Sequence, residues 1–248
     1  MTDRWRIGAN LATLGNGLLG LGAIAYTLAG NPIWAMLLLV CAIAFDGLDG
    51  LLSRRSTIAS GLFGRVADSV ADGISYGLAP AVLVAVHGPG GPWSAWTPFV
   101  VAVAAFYAAA TFARLVYFTV SAHEHPYFLG VPSPQAALAV IVALLFHDVP
   151  AFQSVQPIGV LVGVTVIALL MVVPIPYPKI RRGSPLRIPM AVTAAAAVLT
   201  LVPLQFRPAP GSGLYELAYG AAFVLFAGVA SYYLLGPFTV RRDAPHAA

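Results

Sequence analysis

The sequence holds one cysteine, nine acidic residues and a charged fraction of only 9% across its 248 positions. The single thiol, Cys41, sits in an apolar run. It forms no disulfide within the chain, offers redox chemistry nothing to work with, and reads as a small packing residue. So little charge excludes an ordinary soluble domain. Basic residues are in excess, giving a net charge of +4, yet they are too few and too scattered to follow a nucleic-acid backbone. Nucleic acid is therefore excluded as a partner, and anionic lipid headgroups are the natural counterpart. Long linkers, internal repeats and low-complexity tracts are also missing, so residues 1–248 read as one transmembrane domain.

Apolar sequence fills the space. Hydrophobic residues make up 59% of the chain and the mean hydropathy is +0.85. Crossing roughly 30 Å of hydrocarbon takes about 20 mainly apolar residues. Eight segments qualify, near Ala9–Leu28, Ile33–Ser53, Leu62–Val86, Trp96–Val120, Pro134–Phe146, Ile158–Val173, Ile188–Leu204 and Tyr215–Leu235. The expected class is an all-α polytopic membrane protein with about eight helices. The fifth segment is short and the seventh carries prolines near both ends, so six or seven spans are also allowed. The first segment lacks a small-residue cleavage pattern and reads as an uncleaved span.

The basic residues orient these spans. Arg4 and Arg6, Arg54 and Arg55, then Lys179, Arg181, Arg182 and Arg187, and finally Arg241 and Arg242 all fall on one side of an even count. Only Arg207 breaks the pattern. Cytoplasmic loops are enriched in Lys and Arg, which places both termini and the loop between spans two and three in the cytoplasm of a cell-membrane protein. Trp93 and Trp96 fit an interfacial aromatic belt.

Against this background one stretch stands out, D-G-L-D-G-L-L-S-R-R from Asp46 and G-R-V-A-D-S-V-A-D-G from Gly64. Asp46 and Asp49 are three apart, Asp68 and Asp72 four apart, so each pair projects from one helical face. Four of the nine acidic residues thus lie in or beside apolar helices, where an unpaired charge is costly. Such a cluster needs cations. Carboxylate oxygens without imidazole or thiolate favour hard ions such as Mg2+ or Mn2+ over zinc, and two of them can clamp a phosphoryl group. Gly50 and Gly64 let a ligand approach the backbone, and Arg54 offers a fork for phosphate oxygens. Intramembrane carboxylates also serve ion-coupled transporters, but the inverted repeats and broken helices of such proteins are not seen in the sequence.

The pattern D-x2-D-G-x2-S-R, then G-x3-D-x3-D, resembles the signature of the CDP-alcohol phosphatidyltransferase family. It departs from that signature in Ser53, where the family has alanine, and in an Arg54-to-Gly64 gap one residue longer than usual. The resemblance implies that Asp46, Asp49, Asp68 and Asp72 hold two divalent cations, Mg2+ or Mn2+, and that Asp72 is also the catalytic base. It assigns Gly50, Arg54 and Gly64 to CDP-diacylglycerol. Asn10 and Thr13 match the family's upstream N-x2-T element, and Ser60 matches a hydroxyl contact before the second glycine; a helix cap is the alternative reading of Asn10 and a plain loop residue that of Ser60. Further blocks, N-L-A-T-L-G-N-G, D-G-I-S-Y-G-L-A-P-A, Y-F-L-G-V-P-S-P and I-P-Y-P-K, are similar to the bacterial and archaeal phosphatidylserine synthases. That branch implies L-serine as acceptor, with glycerol phosphate, inositol phosphate or an archaeal ether-lipid donor as alternatives within the family, and a homodimer as its assembly.

Two cations are candidates for the acceptor. Arg114 sits near the cytoplasmic end of span four and Lys179 follows span six, although snorkelling to headgroups and a positive-inside anchor explain them equally simply. The triplet His123-Glu124-His125 invites a metal reading, but neighbours on a loop rarely converge. Ser69 and Ser75 lie near the aspartates without the base that would make either a nucleophile.

Overall fold

The computed structural model describes residues 4–56, 61–90, 94–120, 127–147, 158–179 and 186–243. Ser60, Trp93, His123, Glu124, His125, Arg181 and Arg182 lie outside the described residues. In hydrocarbon a backbone must satisfy its own N–H and C=O groups, which a helix does within one segment. All eight expected segments are helical. Among the described residues six helices are long and apolar enough to cross a membrane, so the protein is an all-α integral membrane protein. The two others, at 15 residues each, measure about 22 Å at ~1.5 Å per residue and are shorter than the hydrocarbon is thick.

The chain divides into two compact units, 1–122 and 123–248, and each is described by itself. The first contains α1 (Arg4–Leu28), α2 (Pro32–Ser53), α3 (Leu62–Asp72), a π-helical turn (Gly73–Leu78), α4 (Ala79–His87) and α5 (Thr97–Val120). The third span is thus one rod with a π turn set into it directly after Asp72. Helix α1 organises this unit by inverting the usual pattern. Its buried positions are Ala9, Ala12, Thr13, Asn16, Gly17, Gly20, Ala23 and Thr27, while Leu11, Leu14, Leu18, Leu21 and Leu28 face outward. Small and polar residues inside with large apolar ones outside is what a lipid solvent selects, because helices then approach closely while the leucines meet acyl chains.

The closest approach sits beside the π turn. A Cβ at Gly20 would stand 2.8 Å from the Ser75 Cα and 2.9 Å from its amide nitrogen, so only glycine fits against that backbone. The Ser75 hydroxyl in turn donates to the Asn16 carbonyl at 2.8 Å. A π turn disturbs the regular ladder of carbonyl acceptors, and Tyr107 of α5 donates its hydroxyl to the Tyr76 carbonyl at 2.9 Å. Tyr76 and Tyr107 are fully buried.

The second unit contains β1 (Tyr127–Leu129), α6 (Ser133–His147), α7 (Ile158–Val172), β2 (Pro176–Pro178), α8 (Arg187–Leu204) and α9 (Gly213–Asp243). The blocks Y-F-L-G-V-P-S-P and I-P-Y-P-K meet here, since β1 and β2 pair antiparallel with Phe128 opposite Tyr177. Gly130 leaves this pair at φ +72°, where a side chain would meet the Met171 carbonyl oxygen, and its amide donates to Ile175 at 2.8 Å. Helix α8 keeps Pro203 in its last turn, where a proline disturbs least of the ladder that follows.

Gly20→Val should therefore displace the π turn and destabilise the protein by about 1–3 kcal/mol. Thermal unfolding of the detergent-solubilised variant checks this, and an unchanged melting temperature would contradict the packing described.

Candidate active site

The aspartates arrive from two helices of the first unit, Asp46 and Asp49 from the last turns of α2, Asp68 and Asp72 from α3. They form one electrostatic group. Asp46 is acted on by Asp68, Asp49 by Asp46 and Asp68, and Asp72 by all three others. Asp68 is exposed and the other three are half-buried, so the group opens at Asp68 and deepens toward Asp72 and the buried Gly73, Ser75 and Tyr76.

Helix α1 supplies the polar groups that hold them. Thr13 Oγ1 lies 2.7 Å from Asp68 Oδ1, 3.1 Å from Asp49 Oδ2 and 3.2 Å from the Ala9 carbonyl oxygen. These are three acceptors around one hydroxyl proton. One turn along, Asn16 Nδ2 donates to Asp72 Oδ1 at 2.9 Å. The buried Tyr76 hydroxyl, which makes no hydrogen bond, stands within electrostatic reach of Asp46, Asp72 and Asp49.

The residue types fit hard cations. Every charged donor in the group is a carboxylate, and one oxygen each of Asp49 and Asp68 lies within hydrogen-bond reach of the same Thr13 hydroxyl. One proton among three acceptors leaves oxygen facing oxygen, which a cation resolves. The buried Asn16 Oδ1 makes no hydrogen bond and is a further oxygen without a partner. As the side chains stand, no three of His, Cys, Asp and Glu among the described residues are gathered closely enough to enclose an ion, in keeping with mutual repulsion between carboxylates that lack a countercharge.

The nucleotide positions are brought together in part. Both guanidinium nitrogens of Arg54 lie 3.8 Å from where a Gly50 Cβ would be, so the arginine folds back over that glycine. Gly64 is half-buried near the start of α3, and Ser60 lies outside the described residues. Asn10 is exposed and stands inside α1, which begins at Arg4, so it is not a helix cap. The inward face runs through Ala9, Thr13, Asn16 and Gly20, and one residue past Ala9 is a rotation of about 100°, which turns Asn10 away.

Arg114 is 8% exposed, buried where snorkelling to headgroups would leave it exposed, and its guanidinium carbon lies 4.7 Å from the Phe118 ring centroid. Helix α5 runs antiparallel to the third span. Thr119 bonds Ser69 at 2.5 Å, Phe112 packs on Gly73, and Tyr107 reaches Tyr76. Arg114 therefore stands between the levels of Ser69 and Gly73, which is the level of Asp72. Lys179 follows β2 in the second unit with its Nζ 5.3 Å from the Phe128 ring centroid.

Sequence reasoning passed over Asn16 and Tyr76. Asn16 carried a signal: the polar positions Asn10, Thr13 and Asn16 recur every third residue of an otherwise apolar helix. Tyr76 carried none, because its place depends on the π turn.

A family model described as CDP-alcohol phosphatidyltransferase matches residues 6–202. The chain is also similar to curated proteins named CDP-diacylglycerol–serine O-phosphatidyltransferase. That of Helicobacter pylori strain J99 is 29% identical over 70% of this chain and 72% of its own length. The Mycobacterium tuberculosis H37Rv protein is 31% identical, covering 79% and 74%, and the Bacillus subtilis protein 28% identical, covering 70% and 91%.

Thr13→Val keeps the shape and removes the hydroxyl shared by Asp49 and Asp68. In chelator the variant should lose about 1–3 kcal/mol of stability, read as a lower melting temperature. An unchanged melting temperature would mean that the hydroxyl does not hold the two carboxylates.

Proposed function

We propose that this chain, which belongs to the CDP-alcohol phosphatidyltransferase family, is a phosphatidylserine synthase that transfers the phosphatidyl group of CDP-diacylglycerol to L-serine and releases CMP. The observation that carries the reading is the group of four aspartates, three of them tied to α1 by Thr13 and Asn16, with Arg54 folded over Gly50. The names of the relatives support the acceptor.

The serine oxygen attacks the phosphorus that carries the diacylglycerol. Its bond to the bridging oxygen breaks, the electron pair leaves with CMP, and the serine hydroxyl proton passes to Asp72. Asp46, Asp49, Asp68 and Asp72 would hold two divalent cations, Mg2+ or Mn2+, and these would supply neutralising charge for phosphate chemistry. Arg54 pairs with phosphate oxygens over the open face of Gly50, and Gly64 admits the nucleotide; Asn10 stays at the margin of this role. The positive-inside pattern of the basic loops supports a cytoplasmic side for the site and both termini, in one catalytic domain that assembles as a homodimer.

Charge favours serine over phosphorylated alcohols. A second phosphate beside a pyrophosphate needs a cluster of Arg or Lys, whereas the first unit buries one arginine at the level of Asp72. The serine carboxylate takes one cation, Arg114, with Lys179 a further candidate.

An acceptor panel with labelled CDP-diacylglycerol tests this. Purified protein should release CMP when serine and Mg2+ or Mn2+ are present, and chelator should abolish release. Glycerol phosphate and inositol phosphate should be inactive. Arg114→Ala should raise the serine KM, and Asp46→Asn or Asp68→Asn should abolish turnover in a folded protein. Equal rates with a phosphorylated alcohol would overturn serine as acceptor, and metal-independent release would overturn the cation assignment.

A further inference from the structure

Asn16 is 1% exposed, and its side chain makes one good hydrogen bond, from Nδ2 to Asp72 Oδ1 at 2.9 Å. Its Oδ1 is buried without a partner. A buried amide that leaves an acceptor unmatched costs stability, and an apolar residue of similar size avoids that cost. Packing alone thus gives no reason for an amide at this point in α1.

The backbone around it is nevertheless tightly fixed. The Asn16 carbonyl accepts from Ser75 at 2.8 Å. A Cβ at neighbouring Gly17 would touch Ala71 at 3.5 Å, and Gly20 admits no side chain against Ser75. The amide is held against the junction where α3 gives way to the π turn, and Asp72 is the last residue of α3. The reverse amide orientation would set oxygen against carboxylate oxygen, so the contact fixes both groups. With Oδ1 of Asp72 engaged, Oδ2 is the oxygen left to meet an acceptor hydroxyl.

We infer that Asn16 is a positioning residue for the reaction, holding one oxygen of Asp72 so that the other points toward the acceptor. This rests on the reading of Asp72 as the base. Asn16 acts through Asp72 and touches no substrate itself, so its loss lowers turnover without weakening the donor lipid.

The test compares Asn16→Leu with wild type and with Asp72→Asn in the full-length protein. For Asn16→Leu, kcat should fall about 10- to 100-fold, as for other groups that orient a reacting residue. The serine KM and the affinity for CDP-diacylglycerol should stay unchanged, while the melting temperature in chelator falls because Asp72 Oδ1 loses its donor. In the Asp72→Asn background the leucine should add no further loss, because both changes break one unit. If Asn16→Leu does not insert stably, Asn16→Ala, which cannot overpack, is read in its place. A folded variant with wild-type kcat, or one that loses serine or donor affinity along with kcat, overturns the positioning role. Wild-type turnover in Asp72→Asn alone overturns instead the assignment of the base.

Discussion

Four carboxylates in a protein that is otherwise apolar impose the constraint around which the first unit is built. Three of them are partly removed from water and each repels the others. The fold answers on one side with a helix whose inner face is small and polar. Thr13 and Asn16 reach the aspartates only because Gly17 and Gly20 let α1 lie against the third span. On the other side the carboxylates are left without countercharge, which is the charge the proposed hard cations would supply.

The π turn follows from the same demand. Placed directly after Asp72, it re-aims the residues beyond it, so that Tyr76 joins the aspartates while Ser75 bonds back to α1. Tyr107 meets the Tyr76 carbonyl, which lets the irregular turn persist inside the bundle. Helix α5 brings Arg114 to the level of Asp72 through the same set of contacts. Catalytic geometry and helix packing are in this way one arrangement, and a change at Gly20 reaches both.

Much of this was legible in the residues. Aspartates three and four apart had to share helical faces, and one from each pair, Asp49 and Asp68, meets the Thr13 hydroxyl. The eight apolar segments had to be helices, and each is, although two of them, at 15 residues, fall short of a full span. What stayed hidden depended on tertiary contacts. A π turn has no breaker of its own here, so Tyr76 gave no sign. Asn10 and Thr13 looked equivalent by spacing, yet burial separates them because the inward face of α1 passes through one and beside the other. The pairing of Tyr127–Leu129 with Pro176–Pro178 joins segments distant in sequence, which no local pattern announces.

Since the account turns on neutralisation of the aspartate group, the most direct measurement is binding of Mn2+ to the purified protein, followed by electron paramagnetic resonance with CDP-diacylglycerol present. The account predicts two bound Mn2+ ions per chain, and loss of at least one of them in Asp68→Asn. Absence of bound Mn2+, or identical binding in wild type and Asp68→Asn, would contradict it.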